Sequence, residues 1–364
     1  MKINWNEPKF EDEEIRAVSE VLKEGFVTEG KRSYELEEKL KSFLGVKHVI
    51  LTTSCSAAMF LAMEADKIIR NLEDYEVLVP DLTFIATATS IELAGGKPIL
   101  VDIDRDNFCI SPEDIRRKIT SKTKAIIPVH VLGRSCRMQE IINIAEEFNL
   151  TIIEDAANAL GSNYNGDKLG TLGKMGCFSL QANKTITCGH GGFIVTNDDK
   201  YNNILRRLKD FGRLNKEEEF HSILGFNFKF TDIQSAIVLE QLKRLPLRIE
   251  NLIKQRKRYE QNLRDISAIN FPKVDYFAGE VPLYVDILTE KRDALKNYLS
   301  KLEIGSRKCW HPLHRNPPYN YQGKDSNFPN SCHISDTCLW LPNGNNITFE
   351  EIDYICNKIK KFYE

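Results

Sequence analysis

One lysine of this chain stands where covalent chemistry is feasible. Residues 177–192, CFSLQANKTITCGHGG, run from a strand-like start through Lys184 into a turn that contains Gly189, Gly191 and Gly192. Glycines let the backbone approach a ligand closely, and a lysine partly shielded from water has a lowered pKa and can form a Schiff base. Most lysines are solvated surface residues, which is the alternative for Lys184. Lys184 is therefore the first candidate for catalysis.

A second candidate, Asp155, directly follows an apolar run in residues 151–161, TIIEDAANALG. Ligands of open α/β sheets bind beyond the carboxyl ends of the strands, so a carboxylate at this position is placed to face one. The alternative is a helix N-cap before Ala156. A carboxylate opposite the pyridinium nitrogen is what pyridoxal phosphate needs in order to act as an electron sink. Lys184 and Asp155 together therefore favour chemistry on that cofactor.

A third pattern, LTTSCSAAMF in residues 51–60, places small hydroxyl residues between a strand and a helix. Backbone amides at the helix N-terminus, with the hydroxyl of Ser54 or Ser56, would form a phosphate cradle. Serine is also common there for capping alone. This motif by itself leaves both interpretations open.

The elements that must position these residues follow from the hydrophobic pattern. Short runs rich in β-branched residues predict strands at residues 48–52, 76–79, 98–102, 124–129, 151–154, 177–180 and 192–196. Helical periods occupy residues 11–24, 34–44, 57–70, 86–94, 112–120, 138–148, 201–210, 231–245 and 247–266. Strand and helix alternate from about residue 48 to residue 155, which predicts an α/β fold with a mostly parallel sheet covered on both faces.

Beyond about residue 250 the pattern changes to strand, helix, loop, strand and helix, with strand candidates at residues 281–287 and 339–342. This order is typical of a smaller α+β unit. We therefore predict a large α/β domain over residues 1–250, which includes an N-terminal helical segment, and a small α+β domain over residues 251–364.

Composition excludes several classes of function. The 364 residues carry 50 basic and 52 acidic side chains, a net charge of -2. The chain therefore has no excess of positive charge that would attract nucleic acid. The longest apolar runs are far shorter than the roughly 20 residues that a membrane span needs. Residues 1–10 lack the pattern of a secretory signal. We expect a cytoplasmic protein with no nucleic-acid or membrane partner.

The cysteines indicate neither disulfides nor a metal. Their number is nine, and no two are separated by only two residues. Cys332, His333 and Cys338 lie close together, but no second pair with ligand spacing accompanies them. We read the thiols as small reduced hydrophobic side chains and expect no metal.

Across essentially its whole length the chain resembles the DegT/DnrJ/EryC1/StrS family of sugar aminotransferases, which depend on pyridoxal 5′-phosphate. The resemblance is carried by ordered motifs: SCSAA, VPDLTFIATA, EDAANALGS, FSLQANKTITCGHGG and GFNFKFTDIQSA. It implies the aspartate aminotransferase type of fold, fold type I of the pyridoxal-phosphate enzymes, with a seven-stranded sheet. It also implies a homodimer whose subunits share their active sites.

The resemblance further implies roles for individual residues. Lys184 would hold the cofactor and shuttle a proton, and Asp155 would pair with the pyridine nitrogen. The remaining cofactor contacts would be Ser56, Ala57 and Ser179 at the phosphate, Phe84 stacked on the ring, Asn158 near the 3′ oxygen, and Asn227 at the phosphate of the other subunit's cofactor. Phe84 could otherwise be a core residue, and Asn227 a turn residue.

Four positions depart from the family pattern. Asn158 replaces the usual His or Gln, His190 a Glu, Lys229 an Arg, and Cys55 a Gly. None of these replacements removes the Lys184 and Asp155 pair that transamination requires. They affect which substrate is bound and how the protein adjusts the reactivity of the cofactor.

Candidate substrate contacts are Thr28, His190, Lys229, His311 and His314. The segment SRKCWHPLHRNPPY resembles one that closes over the site, and Thr28 matches a segment at the substrate entrance. For His311 and His314 a packing role in the proline-rich loop is an equal alternative.

The expected activity is transfer of an amino group from L-glutamate to a nucleotide-linked 4-keto-6-deoxy sugar. The NKTIT segment is most similar to the perosamine-synthase branch, whereas Gln181 is similar to aminotransferases that act on keto-inositols. One subgroup has His in place of the lysine and dehydrates sugars, which Lys184 disfavours. A non-catalytic, cofactor-binding regulatory protein is the alternative from another class.

Overall fold

The computed structural model describes residues 2–215 and 219–364. Within them the strands are β1 His48–Thr52, β2 Glu76–Pro80, β3 Lys97–Val101, β4 Thr123–Ile126, β5 Thr151–Asp155, β6 Asn163–Tyr164, β7 Asp167–Lys168, β8 Met175–Ser179, β9 Gly192–Thr196, β10 Val285–Leu288, β11 Arg307–Lys308 and β12 Cys338–Leu341. The α-helices are α1 Asp12–Glu24, α2 Lys31–Leu44, α3 Cys55–Arg70, α4 Ala86–Leu93, α5 Pro112–Lys118, α6 Met138–Phe148, α7 Asp199–Lys209, α8 Asp232–Lys243, α9 Leu245–Leu263, α10 Arg292–Lys301, α11 Pro329–Thr337 and α12 Phe349–Tyr363.

Seven strands form the central sheet in the order β1-β9-β8-β5-β4-β2-β3. Strand β9 runs antiparallel to both of its neighbours, and the other six are parallel to one another. Side chains alternate between two cores. Ile50 and Ile194 pack in one apolar cluster, whereas Val49 and Val195 pack in another. A parallel sheet is stable when helices cover both faces, and the predicted α/β architecture is confirmed.

A second, antiparallel sheet has the order β10-β12-β11. Its apolar face packs with α9, α10 and α12 in one cluster that includes Tyr259, Leu299 and Ile355. Ile3, near the N-terminus, forms a parallel bridge with Ile304, so the first residues of the chain pack against this part of the molecule. The domain boundary at residue 250 stays a prediction, and helix α9 runs continuously across it.

Prolines explain where the predicted elements differ from those observed. Strand β4 ends at Ile126, before Pro128, which has no N–H to donate to a ladder. Strand β10 begins at Val285 instead of residue 281, beyond Pro282. Pro246 lies in the first turn of α9, where a missing N–H costs nothing, so the helix break falls at Arg244.

The pattern missed the hairpin β6–β7, the two-residue strand β11 and helix α11. None of the helices in the described residues combines the length and apolar character needed to cross a bilayer.

Candidate active site

The central sheet ends at a cavity of about 370 Å³. Asp155 and Ser179, the last residues of the adjacent parallel strands β5 and β8, both line it. The candidates from the sequence that line this cavity are Ser56, Phe84, Asp155, Asn158, Ser179, Lys184 and His190. The fold therefore brings together residues that are far apart in the chain.

Lys184 projects into this cavity from the loop after β8. Its Nζ donates a hydrogen bond to Oδ1 of Asn158, at 2.7 Å. The pKa of the Lys184 amine is lowered to about 8, chiefly because burial costs the charged form its solvation; the charge of Arg307 acts in the same direction and that of Asp155 opposes it. The neutral, nucleophilic amine is thus available close to neutral pH.

Asp155 is buried, and both of its oxygens accept hydrogen bonds. Oδ2 accepts from Oγ1 of Thr87 at 2.9 Å, and Oδ1 accepts from the backbone N–H of Ala157 at 3.1 Å. Burial raises the pKa of Asp155, while these two hydrogen bonds oppose the rise. No α-helix follows Asp155, so the simple N-cap interpretation is wrong. A positively charged ligand atom beside the carboxyl group would favour its ionised form.

Helix α3 begins at the cavity with Cys55. Oγ of Ser54 accepts from the amide of Ala57 at 3.1 Å, so this serine caps the helix. Ser56 is exposed and lines the cavity. A Cβ at Gly192 would lie 2.4 Å from the amide nitrogen of Cys55, so only glycine lets β9 approach this helix end. The result is a compact helix N-terminus that faces the cavity, as an anion site requires.

Phe84 is 55% exposed although it is a large apolar side chain. The alternative that it belongs to the core is therefore wrong, and its ring borders the cavity. His190 is also exposed there; its carbonyl oxygen accepts from Nε2 of Gln234 at 2.6 Å. Both side chains are free to contact a ligand.

Six other candidates do not line the cavity of their own chain: Thr28, Ala57, Asn227, Lys229, His311 and His314. Ala57 is buried in the first turn of α3. Thr28, Asn227 and His311 are exposed. Asn227 forms an antiparallel bridge with Asp210, and Nζ of Lys229 donates to Oδ1 of that same aspartate at 2.8 Å.

His314 is buried outside the cavity. Its Nδ1 lies 2.8 Å from Oδ2 of Asp81 and its Nε2 lies 2.9 Å from Oδ1 of Asp325. The ring stacks on Phe328 at 4.6 Å. These contacts match the alternative of a packing and hydrogen-bonding role. Oxygens of Asp325 also pair with Arg315.

The sequence missed one wall of the cavity, which is formed by Thr87, Tyr284, Arg307, Trp310 and Trp340. Tyr284 precedes β10, Trp340 lies on β12, and Arg307 begins β11, so most of this wall comes from the second sheet. Thr87 lies within VPDLTFIATA, and Arg307 and Trp310 lie within SRKCWHPLHRNPPY, but neither motif singled these residues out. Tyr284 and Trp340 belong to none of the motifs, because their proximity to the cavity depends on how the two sheets pack.

The geometry suits pyridoxal 5′-phosphate. An amine of lowered pKa, a buried carboxyl group and a helix N-terminus border one cavity, and these are the three groups that bind the aldehyde, the ring nitrogen and the phosphate of this cofactor. An exposed aromatic ring, Phe84, borders the same space.

Comparison with known proteins gives the same assignment. Residues 8–360 match the model of the DegT/DnrJ/EryC1/StrS aminotransferase family. GDP-perosamine synthase of Escherichia coli O157:H7 is 33% identical over 98% of this chain and 97% of its own, and that of Caulobacter vibrioides is 34% identical over 97% and 96%. The solved structure of Helicobacter pylori PseC, an aminotransferase involved in the biosynthesis of pseudoaminic acid, superposes with a TM-score of 0.94 at 25% identity, covering 100% of this chain and 99% of that one.

The fold of these relatives is fold type I of the pyridoxal-phosphate enzymes, as the order and direction of the central strands indicate. The family match over residues 8–360, the fold and the chemistry of the site all indicate the same family. The protein belongs to the DegT/DnrJ/EryC1/StrS family of sugar aminotransferases and depends on pyridoxal 5′-phosphate.

Proposed function

We propose that the enzyme transfers the amino group of L-glutamate to the keto group of a nucleotide-linked 4-keto-6-deoxy sugar. Its product would enter amino-sugar biosynthesis for a surface polysaccharide or a glycosylated product. The observation that carries the proposal is the cavity where Lys184 and Asp155 meet, in a chain that matches GDP-perosamine synthases over nearly its full length.

Lys184 would hold the cofactor and, once the amino donor is bound, would move a proton between the α-carbon of the donor and C4′ of the cofactor. When bound, the cofactor would supply the electron sink that this proton transfer needs. Asn158 accepts a hydrogen bond from Lys184 and so orients the amine. The same lysine serves both half-reactions, because amination of the ketosugar reverses the proton transfer.

Position in the cavity wall supports the other proposed cofactor contacts. Asp155 would pair with the ring nitrogen and Phe84 would stack on the ring. Ser56 and Ser179 line the cavity and would hold the phosphate at the N-terminal end of α3, next to the buried Ala57. The amide of Ala57 already donates to Ser54, so Ser56 and Ser179 make the larger contribution.

We further propose a homodimer with shared active sites. Asn227 is exposed and lies away from the cavity of its own chain, which suits a contact with the partner subunit's cofactor. His190 borders the cavity, which supports its proposed contact with the substrate, whereas for Thr28, Lys229 and His311 that role rests on the sequence alone. Cytoplasmic localisation also stays a prediction.

The first experiment is to record the visible absorption of the protein with the cofactor, before and after adding L-glutamate. A band that changes with glutamate in the wild type, and that Lys184→Ala does not form stably, supports the first half-reaction. Lys174→Ala serves as the control, because Lys174 pairs with Asp198 outside the cavity. A band that forms equally in Lys184→Ala would contradict the role of Lys184.

The acceptor is tested by product analysis with nucleotide-linked ketosugars and with a free keto-inositol. Gln181 lines the cavity and favours the keto-inositol as the competing acceptor. Turnover of the keto-inositol alone would overturn the proposed acceptor. A protein that binds the cofactor but converts no amino donor would instead be the non-catalytic, regulatory alternative.

A further inference from the structure

The cavity wall contains two buried threonines, Thr83 and Thr87. Their exposed fractions are 2% and 0%. Thr87 lies in the first turn of α4, and Thr83 precedes that helix. Burying a hydroxyl group is costly unless the group is hydrogen-bonded, so the partners of these two side chains indicate what they do.

The two hydroxyl groups form a chain that ends at Asp155. Oγ1 of Thr83 lies 3.0 Å from Oγ1 of Thr87, which lies 2.9 Å from Oδ2 of Asp155. An ionised carboxylate only accepts hydrogen bonds, so Thr87 donates to it. Thr87 then has no second proton to give, and Thr83 donates to Thr87. Both O–H dipoles point toward the carboxylate, and each hydrogen bond strengthens the other.

The surroundings of Asp155 act on its charge in opposite directions. Burial raises the pKa of this carboxyl group, whereas the hydrogen bonds from the Ala157 amide and from Thr87 lower it. The titratable groups that act on Asp155 from the elements around it are Lys184, His130, Cys55 and Cys177. Ala157 contributes through its backbone, so Thr87 is a neutral side chain whose hydroxyl can be removed without changing any charge.

The backbone around Thr87 also carries Phe84. The amide of Thr87 donates to the carbonyl oxygen of Phe84 at 3.1 Å. One turn of the chain therefore holds both the ring that would stack on the cofactor and the hydroxyl that binds Asp155. Its position relative to the cofactor is fixed from two sides.

We propose that Thr87, supported by Thr83, is a positioning residue that fixes and polarises the Asp155 carboxylate for pairing with the ring nitrogen of the cofactor. This rests on the proposed function, because it requires that Asp155 pair with that nitrogen. Each oxygen of Asp155 accepts one hydrogen bond, from Thr87 or from Ala157. A carboxylate oxygen accepts two, so a position stays open for the nitrogen.

The test measures cofactor binding to the apoenzyme, followed by absorption, instead of activity. Thr87→Val removes the hydroxyl and keeps the shape, Thr87→Ser keeps the hydroxyl, and Thr83→Val removes the first donor of the chain. The matched control is Thr89→Val: Thr89 also lies on α4, but it donates to the carbonyl oxygen of Ile85 at 3.0 Å and is not among the residues that line the cavity. Each protein is titrated with pyridoxal 5′-phosphate and with its 1-deaza analogue, in which carbon replaces the ring nitrogen.

Loss of a hydrogen bond to a charged group predicts that Thr87→Val weakens binding of pyridoxal 5′-phosphate by about 10- to 100-fold. Binding of the 1-deaza analogue should not change, because it has no nitrogen for Asp155 to pair with. Thr87→Ser and Thr89→Val should bind both forms as the wild type does, and Thr83→Val should lose less than Thr87→Val. In an Asp155→Asn background, Thr87→Val should have no further effect.

Equal weakening of both cofactor forms by Thr87→Val would show a purely structural effect and would overturn the role of Thr87. Unchanged binding of pyridoxal 5′-phosphate by that variant would overturn it too. If the wild type and Asp155→Asn bind both forms equally well, the pairing on which the proposal rests is wrong. A wild type that shows the expected dependence on the ring nitrogen, but is inert toward glutamate, supports the role of Thr87 and contradicts the proposed function alone.

Discussion

The substitution Asp155→Asn isolates the charge of a buried carboxyl group in the cavity wall. Asparagine has nearly the same shape, so its Oδ1 can still accept from the amide of Ala157, and its amide can donate to Oγ1 of Thr87. Both contacts of the native side chain are therefore preserved. We expect the free energy of unfolding to change by no more than about 1 kcal/mol.

The effect on the reaction should be much larger. With the cofactor bound, Asp155 would form a buried ion pair with the ring nitrogen. Removing one partner of such a pair costs about 3–5 kcal/mol, and Asp155 is only 6% exposed, so solvent would screen little of this cost. If this full cost falls on the transition state, the half-reaction with glutamate slows by roughly 10²- to 10⁴-fold. The cofactor should still bind, because Lys184 and the end of α3 are unchanged.

Rapid mixing of the cofactor-loaded variant with glutamate, followed by absorption, measures this rate directly. Asp102→Asn is the control: Asp102 is a buried carboxylate that accepts from Ser331, outside the cavity. Its half-reaction should stay within about threefold of wild type. If Asp155→Asn reacts within about fivefold of wild type while fully loaded, Asp155 does not face the ring nitrogen.

Three further outcomes are expected. Cofactor uptake by the apoenzyme should speed up as pH rises, reach half its maximum near pH 8 and then level off, because uptake needs the neutral amine of Lys184, whose pKa burial lowers to about 8. Stopped-flow absorption from pH 6.5 to 9.5 measures the rate, and a rate that still rises roughly tenfold per pH unit at the upper end of this range would contradict the burial. Gly192→Ala should destabilise the fold by about 1–3 kcal/mol in thermal melts, since the new Cβ would lie 2.4 Å from the amide nitrogen of Cys55. Asp286→Asn should cost about 3–5 kcal/mol in urea unfolding, because it removes the carboxylate that pairs with the buried Arg134 and one of the two carboxylates that pair with Arg256, and a wild-type midpoint would refute this.

The sequence predicted the central sheet well because the apolar pattern that marks each strand lies within a few consecutive residues. Every strand of that sheet is a short apolar run, and strands such as β5 and β8 are buried along their full length. Lys184 and Asp155 were found for the same reason, since each follows such a run. Their partners Asn158 and Thr87 show that a catalytic group comes with a hydrogen-bonding environment that a motif alone does not reveal.

His314 shows where local reasoning stops. A histidine in a proline-rich segment near a closing loop suggests a ligand contact, yet it lies between two carboxylates contributed by residues 81 and 325. The strand at residues 307–308 was missed because a two-residue strand has no periodicity to detect. Its pairing with β12 depends on long-range packing, which single-residue propensity does not encode.

The residues that line the cavity therefore come from two different parts of the fold. Asp155 ends β5, and Lys184 lies on the loop that follows the adjacent strand β8. The opposite wall comes from the second sheet and from the N-terminal segment, which reaches Arg307 through Trp5. We expect substitutions in that wall to change which substrate is bound without disturbing Lys184 and Asp155. Donor and acceptor preference can thus diverge among relatives that share the same chemistry, which is why the second sheet is the place to look for substrate specificity.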